Sequence, residues 1–134
     1  MIEPDASGTF VGSSFSYAIA RDWARFGLLY LNDGIWNGQR ILPEGWVQYS
    51  ITPAKAAPLG EYGAQVWLNG GSASDKAQKR FKDLPNDVYL MDGFEGQNVV
   101  IVPSRQLVIV RLGLTQKESF DTNAFVKDVL AAIE

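Results

Sequence analysis

Three strand-length segments, residues 87–92, 97–102 and 107–114, follow one another with only short turns between them. Connections this short join antiparallel neighbours, because a parallel return needs a crossover of a dozen residues or more. The turn at Pro103-Ser104-Arg105 places proline where a type I turn favours it. The second and third segments are apolar over much of their length rather than alternating, with Val99-Val100-Ile101-Val102 as the plainest run. Strands of that kind need cover on both faces of their sheet.

A helix is expected to provide part of that cover. Asp121 or Thr122 caps a segment whose stripe is Phe125, Val126, Val129, Leu130 and Ile133, and the sheet is the nearest surface for it. Upstream, Ile19, Trp23, Phe26 and Tyr30 fall at helical spacing between Tyr17 and Asn32, with Ser14 or Ser16 as the cap and Asn32-Asp33-Gly34 as the stop. Asn37-Gly38 supplies the positive φ angles of a type I′ hairpin over residues 35–41. Pro43 opens a short helix over residues 44–50, and residues 62–69 alternate as a strand. The order is helices, an antiparallel meander and a final helix, which is an α+β pattern. Residues 1–134 are read as a single domain, with a helical segment over 1–60 and antiparallel strands plus the last helix over 61–134.

Two absences restrict the chemistry. The chain has no cysteine and no histidine, so disulfides, thiolate nucleophiles, a Ser-His-Asp triad and imidazole-held zinc are all excluded. A net charge of −3 argues against a nucleic-acid partner. No apolar run approaches the roughly 18–20 residues that span a bilayer, and Met1-Ile2-Glu3-Pro4-Asp5 lacks the basic start and apolar core of a signal peptide. Gly8 to Gly12 lacks the lysine of a phosphate loop, and neither cofactor nor metal is expected.

No serine is followed three residues later by lysine, the spacing that sets an amine one helical turn from the hydroxyl it deprotonates. Tyr30-Leu31-Asn32 matches a Tyr-x-Asn pattern, but its two polar residues cannot share a helix face; core packing and a helix stop account for them. Residues 70–86 form a long polar connection carrying Lys76, Lys79, Arg80 and Lys82, either a solvated loop or a site for anions. In Met91-Asp92-Gly93-Phe94-Glu95-Gly96-Gln97, two glycines three apart sit at a strand junction. Such a turn is either a plain hairpin or one that presents backbone N–H groups into a cleft, as an oxyanion site requires.

Three stretches together resemble the β-lactamase/penicillin-binding-protein superfamily, in the branch of class C enzymes, esterases and 6-aminohexanoate-dimer hydrolases. They are Gly12-Ser13-Ser14 with residues 17–27, residues 32–47, and Gly93-Phe94-Glu95-Gly96-Gln97 with residues 99–112. The resemblance implies a partial β-lactamase/transpeptidase-like fold, an antiparallel sheet with flanking helices, corresponding to the C-terminal portion of a serine hydrolase. It implies that the Ser-x-x-Lys and Tyr-x-Asn elements lie outside this sequence. Aligning the family's Lys-Thr-Gly strand with Met91-Asp92-Gly93 makes the Phe94 N–H an oxyanion donor. A second register sets Phe94-Glu95-Gly96 on the motif and moves the donor to Gln97; the first keeps the triplet on the strand.

Neither register restores the family's cation at this motif, which favours neutral esters or amides as substrates of a complete parent. Glu95, Gly96 and Gln97 would then border the substrate. Glu95 or Asp92 could face a cationic group, although each also reads as a solvated turn residue. Alone, the chain is expected to be inactive. The resemblance further implies that segment 107–114 has lost its neighbouring strand, so a homo-oligomer through that edge is expected. The rival reading is a non-catalytic binding or interaction module on a degenerate hydrolase fold.

Overall fold

A computed structural model describes residues 2–11, 16–72, 74–115 and 119–133. The Gly12-Ser13-Ser14 stretch, with the proposed cap at Ser14, lies outside them. In chain order the elements are α1 (Ala20–Leu31), β1 (Ile35–Trp36), β2 (Gln39–Arg40), α2 (Trp46–Ser50), β3 (Trp67–Leu68), β4 (Tyr89–Asp92), β5 (Asn98–Val102), β6 (Leu107–Arg111) and α3 (Thr122–Ala132). Strands β3-β4-β5-β6 form one sheet in that order, antiparallel throughout. The architecture is α+β, an antiparallel sheet flanked by helices. No helix among the described residues is long and apolar enough to cross a membrane.

Alternation along the strands divides the core in two. Tyr89, Val99 and Ile101 join Val66 and Leu68 on one face, under Trp23, Tyr30 and Leu31 of α1. Leu90, Val100, Val102 and Ile109 take the other face with Val126 and Leu130 of α3 and with Phe81 and Leu84 from the long connection. Each fully buried aliphatic side chain contributes about 1.5–3 kcal/mol. The uninterrupted apolar strands thus have the two covers they require.

The local departures have physical causes. Helix α1 begins at Ala20 behind Ile19, which makes no side-chain cap bond, while Ser16 pairs in an isolated bridge with Ile2. Asn37 and Gly38 both take positive φ, 48° and 77°, as the hairpin requires. Gly45 at φ 78° is the N-cap of α2, so that helix starts three residues after Pro43. The expected strand over residues 62–69 shrinks to Trp67–Leu68. Gln65 turns left-handed at φ 66°, and Gly63 lies so close to the Ser50 carbonyl that a Cβ would sit 2.1 Å from its oxygen. Strand β6 ends at Arg111 rather than at residue 114, and it is an outer strand of the sheet, with no neighbour on its far side among the described residues.

Candidate active-site loop

Strands β4 and β5 are joined by residues 93–97. The Gly93 N–H donates to the Gln97 carbonyl at 2.7 Å, and the Gln97 N–H to the Phe94 carbonyl at 3.4 Å. That second bond closes a tight turn whose central residues, Glu95 and Gly96, take left-handed φ values of 56° and 74°. A left-handed residue other than glycine costs roughly 1–2 kcal/mol. Surrounding bonds hold it there. The Gly96 carbonyl accepts from Arg111 Nη1 at 2.6 Å and from Asn98 Nδ2 at 2.8 Å, and the Thr115 N–H donates to the Glu95 carbonyl at 3.2 Å.

Phe94 stands at the surface, 81% exposed. Its N–H lies outside the β4–β5 ladder and donates to no acceptor among the described residues. A backbone donor left free in an exposed, conformationally fixed turn is what an oxyanion site needs.

The Met91-Asp92-Gly93 triplet is split by the strand's alternation. Met91 packs on the α1 side of the sheet. Asp92 points to the α3 side, where its Oδ2 accepts from Arg80 Nη2 at 2.8 Å, and its side chain is only 10% exposed. Asp92 is therefore an ion-paired residue of the sheet, and the cation it faces is this chain's own. Glu95, Gly96 and Gln97 are half-buried.

On the α3 side, behind the loop, a cleft of about 280 Å³ is lined by Arg80, Asp92, Gly96, Asn98, Phe120 and Asp121 among others. Most of its polar groups have partners. Arg80 holds Asp92, Asn98 holds Gly96, and the Asp121 carboxylate accepts the Ala124 N–H as the cap of α3. Lys79 is engaged too, its Nζ donating to the Leu84 carbonyl at 2.6 Å and to Asn86 Oδ1 at 3.1 Å. Two of the four cations of the long connection thus tie the chain to itself, which leaves the anion-site reading with Lys76 and Lys82. No group of three or more Asp or Glu suited to a metal occurs among the described residues. Tyr30 packs in the α1-side core and Asn32 is the C-cap of α1, as packing and a helix stop require.

Sequence reasoning passed over Arg111 and Asn98. The signal was available, since both sit on the strand face that carries Val100 and Ile109, where a polar side chain needs a specific partner.

No protein-family profile matches the chain, and no curated protein matches it. Among solved structures it is similar to "Putative 6-aminohexanoate-dimer hydrolase from Bacillus anthracis", with a TM-score of 0.65 and 22% identity over 98% of this chain. The chain spans 32% of that protein's length. The likeness shows a shared fold, and it is the β-lactamase-like fold that the sequence resemblance implied.

Proposed function

We propose that this chain forms one wall of a serine hydrolase's acyl-transfer site and contributes the Phe94 N–H to the oxyanion hole. The observation that carries the reading is that amide, free of the sheet ladder at the head of a braced turn. The fold shared with a 6-aminohexanoate-dimer hydrolase supports it.

In the reaction, a serine from polypeptide beyond these 134 residues attacks an ester or amide carbonyl, and a lysine amine takes the hydroxyl proton. The carbonyl oxygen gains negative charge, which Phe94 N–H and a second amide stabilise. Collapse expels an alcohol or amine, which leaves with the proton, and water then hydrolyses the acyl-serine by the same route. Met91 stands where the family has a cation and packs into the apolar cluster, so the substrate class is neutral esters or amides.

The isolated chain has no Ser-x-x-Lys pair and turns nothing over. The test is exposure to p-nitrophenyl acetate and a fluorophosphonate probe, alone and co-produced with a companion chain carrying a Ser-x-x-Lys helix. Labelling of the isolated chain refutes the reading; labelling only in the assembly supports it. Replacing Phe94 by proline removes the N–H and lowers kcat of the assembly by about 100- to 1000-fold. An active assembly indifferent to that change removes Phe94 from the site. The alternative, a binding module on a degenerate hydrolase fold, draws on the absent cation at Met91 and predicts an assembly that never reacts with the probe. We also propose that two copies associate through the open edge of β6.

A further inference from the structure

We infer that Arg111 is the positioning residue of the candidate oxyanion loop. The inference rests on the Phe94 reading above and adds the group that fixes where that amide lies.

A turn containing Gly96 does not hold its shape unaided, because glycine enters positive and negative φ almost equally well. Glu95 beside it adds a residue that prefers to leave the left-handed region. Arg111 lies one strand away, at the end of β6, and reaches the turn with one arm of its guanidinium and Thr115 with the other. Nη1 donates to the Gly96 carbonyl at 2.6 Å, and Nη2 donates to Thr115 Oγ1 at 2.5 Å. The Thr115 backbone N–H returns to the Glu95 carbonyl, closing a ring of contacts around the turn. The guanidinium also stacks on Phe120, 3.7 Å from the ring centroid, so its plane is fixed from a third direction.

These contacts set the peptide planes after Glu95 and Gly96. On the other side of Phe94, the Gly93 N–H is held by the Gln97 carbonyl. The peptide plane that carries the Phe94 N–H thus lies between the held Gly93 N–H and the Phe94 carbonyl, which accepts from the Gln97 N–H, and Arg111 fixes the plane that carries that Gln97 N–H. Asn98 shares the Gly96 carbonyl but makes a single contact. Lysine cannot replace Arg111, because an ammonium has neither the planar fork nor the stacking face.

The test compares the whole chain with its Arg111→Met and Arg111→Lys variants by amide NMR. Both variants are expected to lower the heteronuclear NOE of Phe94, Glu95 and Gly96 and to raise the exchange rate of the Thr115 N–H, which donates to the Glu95 carbonyl. Val100 and Ile101, inside the sheet, keep their protection, which separates a loosened turn from an unfolded chain. In an assembly active on p-nitrophenyl acetate, both variants lower kcat about 10- to 100-fold with KM little changed, as misplacing a catalytic group does. Unchanged loop amides in both variants overturn the inference and leave the Phe94 reading standing. A loosened loop with unchanged kcat overturns both, because the amide then plays no part in the reaction.

Discussion

Arg80 and Asp92 pair between the long connection and the sheet, Nη2 to Oδ2 at 2.8 Å, with the guanidinium 4.5 Å from the Trp67 ring centroid and 5.2 Å from that of Phe81. The carboxylate is the more enclosed partner, so removing the arginine strands a charge rather than merely deleting a contact. Arg80→Ala is expected to cost about 1.5–3 kcal/mol. Arg80→Lys recovers only part of this, since an ammonium lacks the flat face that lies over two rings. Urea unfolding of the three proteins measures it; equal midpoints for wild type and Arg80→Ala would make the pair a surface ornament.

Gly27 is buried where α1 lies against strands β5 and β6. A Cβ there would lie 2.5 Å from Val108 Cγ1 and 3.0 Å from Val99 Cγ1, both β-branched side chains with little rotamer freedom. Gly27→Val is expected to lower stability by about 1–3 kcal/mol through overpacking. Gly27→Ala loses less, because alanine's higher helix propensity returns up to about 1 kcal/mol. A thermal melt orders the three. A valine variant as stable as wild type would show that α1 can lift off without penalty.

Tyr89 gives the protein an alkaline limit. Burial in the α1-side core pushes its phenol well above the usual tyrosine value, and nearby Tyr30, Asp33 and Asp87 push the same way. In the unfolded chain the phenol ionises near pH 10, whereas in the folded protein it stays neutral beyond that. Folded protein therefore binds the extra proton, and stability is intact below about pH 10 and falls as pH rises above it. Urea midpoints of wild type and Tyr89→Phe, compared between pH 8 and pH 11, should run parallel at first. Above about pH 10 the wild type should fall faster. Parallel behaviour throughout contradicts the burial of this hydroxyl.

Signals that are local in the chain are legible in the sequence itself. Asn37-Gly38 specified its turn, the pair Asp121 and Thr122 the start of the last helix, which Asp121 caps, and the apolar run at residues 99–102 a strand covered on both faces. Signals that depend on distant partners are not. Phe26 belongs to the apolar stripe of α1 but is left 40% exposed, because the sheet is met by Trp23, Gly27, Tyr30 and Leu31 instead. The strand over residues 62–69 fails because Ser50, far back in the sequence, takes the Ala64 N–H. Position 92 reads as a turn aspartate until Arg80, twelve residues earlier, is seen to reach it. The candidate loop divides in the same way. Its two glycines mark the turn, while the Arg111 brace comes from the next strand and leaves no mark within residues 91–97.

The proposed association rests on strand β6. The Gly93–Gln97 bond fixes the phase of the β4–β5 ladder, and the β5–β6 register carries it outward, so the backbone groups of Val108 and Val110 face away from β5. An open strand of this kind is a template for another strand. Leu112 and Leu114, at 41% and 86% exposure, continue the apolar surface past its end. Two copies meeting antiparallel along β6 would satisfy those groups and join two four-stranded sheets about a two-fold axis. The protein is therefore expected to sediment as a dimer at micromolar concentration. The double variant Leu112→Lys/Leu114→Lys should be monomeric, because lysine at an edge opposes a second like-charged strand, and its circular dichroism should be unchanged since neither leucine is in the core. Sedimentation equilibrium over a hundredfold concentration range decides the matter. A wild-type monomer throughout, or a dimer that survives the double substitution, rules out pairing through this edge.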